Sequence, residues 1–133
     1  MYLIDTNICI YLIKNQDRAL RQRIEACDPS EVAVSAVTVA ELEYGVAKSG
    51  RIDQNRLALQ NFLSAFEIIP FDDKHAEQFG LIRAVLQREG RPIGPYDLQI
   101  AAQALADKRT LITNNVREFR RVYGLVVEDW TAA

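Results

Sequence analysis

The sequence predicts an α/β fold with a central, mainly parallel sheet covered by helices on both faces. Three observations carry that prediction. Short apolar runs such as Tyr2–Ile4, Val32–Val34 and Thr110–Thr113 are continuous, the pattern of strands buried on both sides. Stretches with apolar residues at helical spacing separate them. Turn and capping residues punctuate nearly every junction, giving the alternation of a wound sheet.

Tyr2–Ile4 reads as a buried strand, and a helix follows over Ile8–Lys14 with Asp5, Thr6 or Asn7 as its N-cap. Arg18–Ala26 is a charged amphipathic helix with Leu20 and Ile24 one turn apart. Asp28-Pro29-Ser30 is a turn, and Val32–Val34 a second strand. Thr38–Lys48 is helical and stops at Ser49-Gly50. A helix from about Asp53 carries Leu57, Phe62, Leu63 and Phe66, and Ile68-Ile69 before Pro70 forms a third strand. Asp72-Asp73 can cap a long helix to Glu89, with Phe79, Ile82, Val85 and Leu86 facing inward. Gly90–Pro95 is the main loop, and Pro95 suits the first position of a helix to about Ala106. Thr110–Thr113 is a fourth strand, Val116–Arg121 a short helix and Leu125–Val127 a last strand. No repeat or low-complexity segment interrupts the series.

Composition narrows the function classes. A chain of 133 residues with 49% apolar content is expected to form one domain, residues 1–133, with a real core. A formal net charge of −2 excludes a generally basic nucleic-acid binder, although a local patch suffices for RNA. Cys9 and Cys27 form neither a C-x-x-C pair nor a disulfide framework, which agrees with a reducing cytoplasm. Asp5 interrupts the first apolar stretch, so no signal peptide is expected, and no run reaches the length of a membrane span.

Three acids stand at apolar edges far apart in the chain: Asp5, Glu41 and Asp97. A lone buried charge is costly unless paired, hydrogen-bonded or bound to metal. Each also has a structural reading. Asp5 can be an N-cap; Thr38-Val39-Ala40-Glu41 has the form of a capping box; Asp97 falls in a first helical turn, where negative charge favours the dipole. Asn115-Val116-Arg117-Glu118 is a helix start of the same kind. Their conjunction points further. Ligands of an open parallel sheet bind beyond the carboxyl ends of its strands, where Asp5, Glu41 and Asn115 are expected to gather. Converging carboxylates need a cation, and oxygen donors suit Mg²⁺ or Mn²⁺. Such an ion activates water and stabilises phosphoryl charge, so the spacing favours metal-assisted phosphodiester hydrolysis.

Rival chemistries are poorly served. His75 is the sole histidine and is expected on a helix surface; Gly90-x-x-x-Gly94 lacks the Lys-Ser/Thr of a phosphate loop. From Asp107 to Arg121, five basic residues face two acids, and Arg83, Arg88 and Arg91 precede the Asp97 loop. Lys14, Arg117 and Arg120 are candidates to hold phosphates of a polyanion steered to the acids. The same residues also read as solvated helix faces.

Leu3-Ile4-Asp5-Thr6-Asn7, Ser35-x-x-Thr38-x-x-Glu41-Leu42-x-x-Gly45, Gly90-Arg91-Pro92-Ile93-Gly94-Pro95-Tyr96-Asp97-x-x-Ile100-Ala101-Ala102 and Thr113-Asn114-Asn115-x-x-Glu118-Phe119 resemble the successive motifs of PIN-domain ribonucleases. The closing Val127-Glu128-Asp129-Trp130 fits the VapC toxins within that group. The resemblance spans essentially the whole chain. It implies a three-layer α/β/α domain and Mg²⁺- or Mn²⁺-dependent endoribonuclease activity. It also implies a cognate VapB-type antitoxin, toxin–antitoxin hetero-oligomers and homodimers. Asp5, Glu41 and Asp97 match the family's acidic metal positions. Asn115 stands at the fourth, often Asp, with Glu118 one turn on as the alternative source of charge. Thr6 is the family's polar residue after the first Asp, placed to hold a phosphate or orient Asp5. Structured RNA, tRNA above all and initiator tRNA in particular, is the substrate class that the resemblance implies. Two alternatives remain: a catalytically weak PIN-like module that binds RNA or a partner, and a metal-dependent DNA nuclease. Leu42, Tyr44, Val46, Leu57 and Leu59 read either as an apolar groove for the antitoxin or as core.

Overall fold

The computed structural model describes residues 1–132. In chain order the elements are β1 (Tyr2–Ile4), α1 (Thr6–Ile13), α2 (Arg18–Glu25), a 3-10 turn (Pro29–Glu31), β2 (Val32–Ser35), α3 (Ala36–Ala47) and α4 (Ile52–Leu63). Then follow β3 (Glu67–Ile69), α5 (Asp73–Arg88), α6 (Pro95–Ala106), β4 (Thr110–Ile112), α7 (Val116–Phe119) and β5 (Val127–Glu128). The strands form one sheet in the order β3-β2-β1-β4-β5, every neighbouring pair parallel.

Period-two alternation divides the strand residues between two cores. Leu3, Ala33 and Leu111 point to one face, where Ile82 and Leu86 of α5, Leu98 and Ala101 of α6, and Phe119 of α7 cover them. Ile4, Val32, Val34 and Ile112 point to the other, against Ile8, Leu12, Leu20, Ile24, Leu42, Val46 and Leu59 from α1 to α4. The result is the expected α/β/α layering. Three-residue strands hold few ladder bonds, so double-sided burial carries them. Leu3, Ile4, Leu111 and Ile112 are all 0% exposed, and each such side chain contributes about 1.5–3 kcal/mol.

The order of winding positions the site. From central β1 the chain winds outward through β2 to β3, then crosses to β4 and β5 on the other side. That reversal leaves a crevice at the carboxyl ends of β1 and β4. The backbone N–H of Asp5 donates to Ile112 O at 3.1 Å across this crevice. Gly90, at φ +67°, ends α5 in the left-handed conformation that glycine adopts without strain, and opens the loop to α6.

Several expectations are corrected. Helix α3 begins at Ala36 with Ser35 as N-cap, two residues before Thr38, so Thr38 and Glu41 form no capping box. His75 is buried, not solvated. Its Nδ1 accepts from the Asp72 backbone N–H at 3.0 Å, and its Nε2 meets both Asp107 carboxylate oxygens at 3.1 Å. The last strand is Val127–Glu128 rather than Leu125–Val127, because Gly124 at φ +82° turns the chain and leaves Val126 exposed. Leu42, Val46 and Leu59 are core, whereas Tyr44 and Leu57 are exposed. Beyond β5, Trp130 packs edge-on against Tyr2 at 4.8 Å beneath the Arg23 guanidinium, and Ala132 N–H donates to Asp17 at 2.8 Å. These contacts fasten the segment Trp130–Ala132 to β1 and α2.

Candidate active site

Asp5 is 3% exposed at the mouth of the crevice. One carboxylate oxygen accepts the Ile8 N–H at 2.9 Å, making Asp5 the N-cap of α1. The other accepts from the buried Thr113 hydroxyl at the end of β4. Thr113 Oγ1 in turn accepts the Asn115 N–H at 2.9 Å. Capping and site geometry therefore coexist in one carboxylate. Burial raises the Asp5 pKa from the usual 3.8 to about 6; the hydrogen bonds from Thr113 and Ile8 oppose the rise and the charge of Glu41 adds to it.

Glu41, one turn into α3, accepts from the Thr6 hydroxyl at 2.8 Å. Thr6 Oγ1 also lies 3.1 Å from the hydroxyl of buried Thr38. The early start of α3 is what turns Glu41 to the rim. Asp97 falls in the first turn of α6, two residues after Pro95 at N1. Its pKa also rises from 3.8 to about 6, first through burial, then through the charges of Glu118, Asp5 and Glu41.

Asn115 and Glu118 act as a pair. The Asn115 side-chain amide donates to Glu118 at 2.7 Å and makes no side-chain cap to α7. The second Glu118 oxygen accepts the Gly94 N–H at 3.2 Å. This links β4, α7 and the loop before α6, and aims Glu118 at Asp97. The neutral fourth position thus holds the acid one turn on.

The structure brings Asp5, Thr6, Glu41, Asp97, Asn115 and Glu118 to one rim. Arg117 of α7 and Arg120 at its C-cap are exposed and enter no ion pair among the described residues. Lys14 stands off the rim, nine residues and about 13 Å along α1 from Asp5. The roles of two further side chains were not legible in the sequence. Thr113 tethers Asp5; its signal is a hydroxyl at a strand end after two aliphatic residues. Gln103, inside the apolar run of α6, accepts from Ser35 and donates to Ile69 O at 3.1 Å and Pro70 O at 3.2 Å. Buried Cys9 lies behind Asp5, and burial and then the Asp5 charge push its thiol well above the usual range, so it is no nucleophile.

Neither Asp5 nor Asp97 has a basic partner among the described residues, and after burial the neighbouring carboxylate charges add to the rise in pKa of both. Among the described residues no three acidic, His or Cys side chains form a ready-made ligand cage. The donor set is nevertheless anionic and all oxygen, which is what hard divalent ions select. Asp5 and Asp97, with Glu41 and Glu118 beside them, are the residues able to hold one.

A parallel α/β/α domain with such a rim at its topological switch point has the framework of a metal-dependent phosphodiesterase. The family model described as PIN domain matches residues 2–125. The chain is 41% identical over 130 residues to the tRNA(fMet)-specific endonuclease VapC of Shigella flexneri, covering 98% of each chain. It is 40% identical over 131 residues to ribonuclease VapC2 of Rickettsia felis, again with 98% of each covered. Among solved structures, VapBC from Salmonella typhimurium bound to DNA matches with a TM-score of 0.93 and 40% identity over 97% of each chain. VapBC2 from Rickettsia felis bound to a promoter DNA fragment matches with a TM-score of 0.92, covering 97% of this chain and 98% of that one. The chain belongs to the PIN-domain family, in its VapC ribonuclease branch. PIN-domain ribonucleases generally use a divalent metal.

Proposed function

We propose that residues 1–133 form one PIN domain that acts as the toxin of a toxin–antitoxin pair, an Mg²⁺-dependent endoribonuclease for which Mn²⁺ substitutes. The observation that carries this reading is the set of four carboxylates, Asp5, Glu41, Asp97 and Glu118, gathered from four elements and without basic partners among the described residues. Likeness to a tRNA(fMet)-specific endonuclease along almost the whole chain supports tRNA, initiator tRNA included, as substrate.

In this reading Asp5 and Asp97 hold the ion, with Glu41 and Glu118 completing the anionic shell. When bound, the ion supplies charge neutralisation at the phosphoryl oxygens and acidifies water. Thr113 fixes the Asp5 carboxylate, Thr6 orients Glu41, and Asn115 holds Glu118 towards Asp97. Arg117 and Arg120 hold phosphates of the strand. Water, not the 2′-hydroxyl, is the nucleophile, so products carry 5′-phosphate and 3′-hydroxyl ends.

The solved relatives are VapBC assemblies, which supports a VapB-type antitoxin as partner here, with homodimers and hetero-oligomers. An apolar groove of about 420 Å³ between α2 and α4, lined by Ile24, Phe62, Ala65 and Phe66, suits an antitoxin segment. No helix of the described residues is long and apolar enough to cross a membrane; a cytoplasmic site of action fits an RNA target. Induced expression of wild type against Asp97→Asn, followed by mapping of new RNA 5′ ends, tests the function. Wild type yields discrete tRNA ends and growth arrest, the variant neither; equal effects from both refute the assignment.

A further inference from the structure

A cavity of about 200 Å³ opens between the second half of α5 and the loop entering α6. Phe79, Pro92, Pro95 and Leu98 contribute its apolar walls, and Arg83 and Gln87 are its only polar side chains. Pro95 and Leu98 stand two residues before and one residue after Asp97, so the cavity and the candidate active site share the first turn of α6. Its floor is fixed: Leu98 is 4% exposed, and the Phe79 ring packs on the core and edge-on against Phe71 at 6.4 Å. Arg83 is exposed and enters no ion pair among the described residues; the same holds for Arg88 and Arg91 nearby. Free cations around an apolar slot beside a phosphodiester-cleaving rim call for a ligand with both charge and a flat apolar face.

We infer that this cavity is a nucleobase subsite, which takes one unstacked purine of the RNA strand crossing the rim. The inference rests on the ribonuclease reading and adds a sequence-selecting pocket to it. Single-stranded RNA is read by splaying bases onto flat side chains and hydrogen-bonding their edges. Phe79 and the two prolines supply the flat surface. The Arg83 guanidinium offers paired donors to the two acceptors on guanine's outer edge, and the Gln87 amide offers the donor and acceptor that match adenine's. Arg88 and Arg91 meet the flanking phosphates, so binding at this slot and positioning of the scissile bond at Asp97 are coupled through α6.

The test uses the whole protein in EDTA, where strands bind without being cut, and an RNA that wild type cleaves with Mn²⁺. A single abasic residue is walked through that RNA. At one fixed distance from the cut, the abasic site weakens wild-type binding about tenfold. Arg83→Ala weakens the intact strand by a similar factor and shows no further loss at that one position, the non-additivity of groups in contact. Its Mn²⁺ affinity and oligomeric state stay those of wild type. Equal weakening of every strand, with the abasic loss retained, makes Arg83 a phosphate contact and overturns the pocket. A change in sedimentation of Arg83→Ala overturns it in favour of a second copy of the chain on this face. Wild type that cuts no RNA at all removes the ribonuclease reading itself, an outcome distinct from loss of the position-specific effect.

Discussion

Replacing Asp5 by Asn is expected to stabilise the metal-free protein at neutral pH while abolishing its activity. Asn keeps the oxygen that accepts the Ile8 N–H, and its amide can donate to the Thr113 hydroxyl that now donates to Asp5. What it removes is the buried charge. The Asp5 pKa is about 6 in the fold against a usual 3.8, a rise of about 2 units, or about 3 kcal/mol. Between those values the folded state binds more protons than the unfolded chain, so stability falls as pH rises through that window. Below it the protonated carboxyl resembles the amide and the two proteins are expected to match. Above pH 7 the variant is expected to be more stable by about 2–3 kcal/mol. Denaturant unfolding in EDTA at pH 4.5, inside the window, where about 1 kcal/mol of the gap is expected, and at pH 8, where it is fully developed, measures the difference. Adding Mn²⁺ at 100 times its dissociation constant stabilises wild type by about 2.7 kcal/mol and leaves the variant nearly unmoved, closing most of the gap. A variant less stable than wild type at pH 8 in EDTA would show instead that the carboxylate serves mainly as a cap and that its burial costs the fold little.

Four further outcomes follow from the same geometry. Thr113→Val removes the donor to Asp5 and the acceptor for Asn115 N–H; kcat should fall about 10–100-fold, measured beside circular dichroism to show an intact fold. Asn115→Asp sets a like charge where the amide now donates to Glu118 at 2.7 Å; thermal unfolding should show a loss of about 1–3 kcal/mol at pH 8, and RNA cleavage should fall rather than rise. His75→Leu breaks the buried contact to Asp107 and should cost about 1–3 kcal/mol in denaturant unfolding, with cleavage per folded molecule unchanged. Arg117→Ala with Arg120→Ala should raise KM with kcat retained, and flatten the salt dependence of RNA binding by about 2 phosphate contacts.

Local rules made much of this fold legible. Tyr2–Ile4, Val32–Val34 and Ile68-Ile69 are too short and too uniformly apolar for helices, and each is a strand. Pro95 marked the start of α6 and so put Asp97 in its first turn. The misplaced details share one cause: a cap signal names a residue type but not its partner. Thr38 and Glu41 have capping-box spacing, yet Ser35 caps the helix first and frees Glu41 to meet Thr6 across the rim. Asn115 looked like a helix start, but its amide spends its bond on Glu118. His75 follows two acids and reads as surface; only the return of α6 beside α5 supplies the Asp107 that lets it be buried. Tethers such as Thr113 to Asp5 join residues 108 apart in sequence, where no periodicity reaches. The last strand was misplaced because Gly124 turns the chain just where the apolar run begins.

We propose that Asp5 and Asp97 form a metal-dependent site that hydrolyses RNA with water. Purified protein freed of any antitoxin, incubated with tRNA and Mn²⁺, tests it most directly when product ends are identified chemically. Wild type should give 5′-phosphate and 3′-hydroxyl ends, lost in EDTA and in both Asp5→Asn and Asp97→Asn. Cleavage that persists in EDTA, or products ending in 2′,3′-cyclic phosphate, would contradict the account.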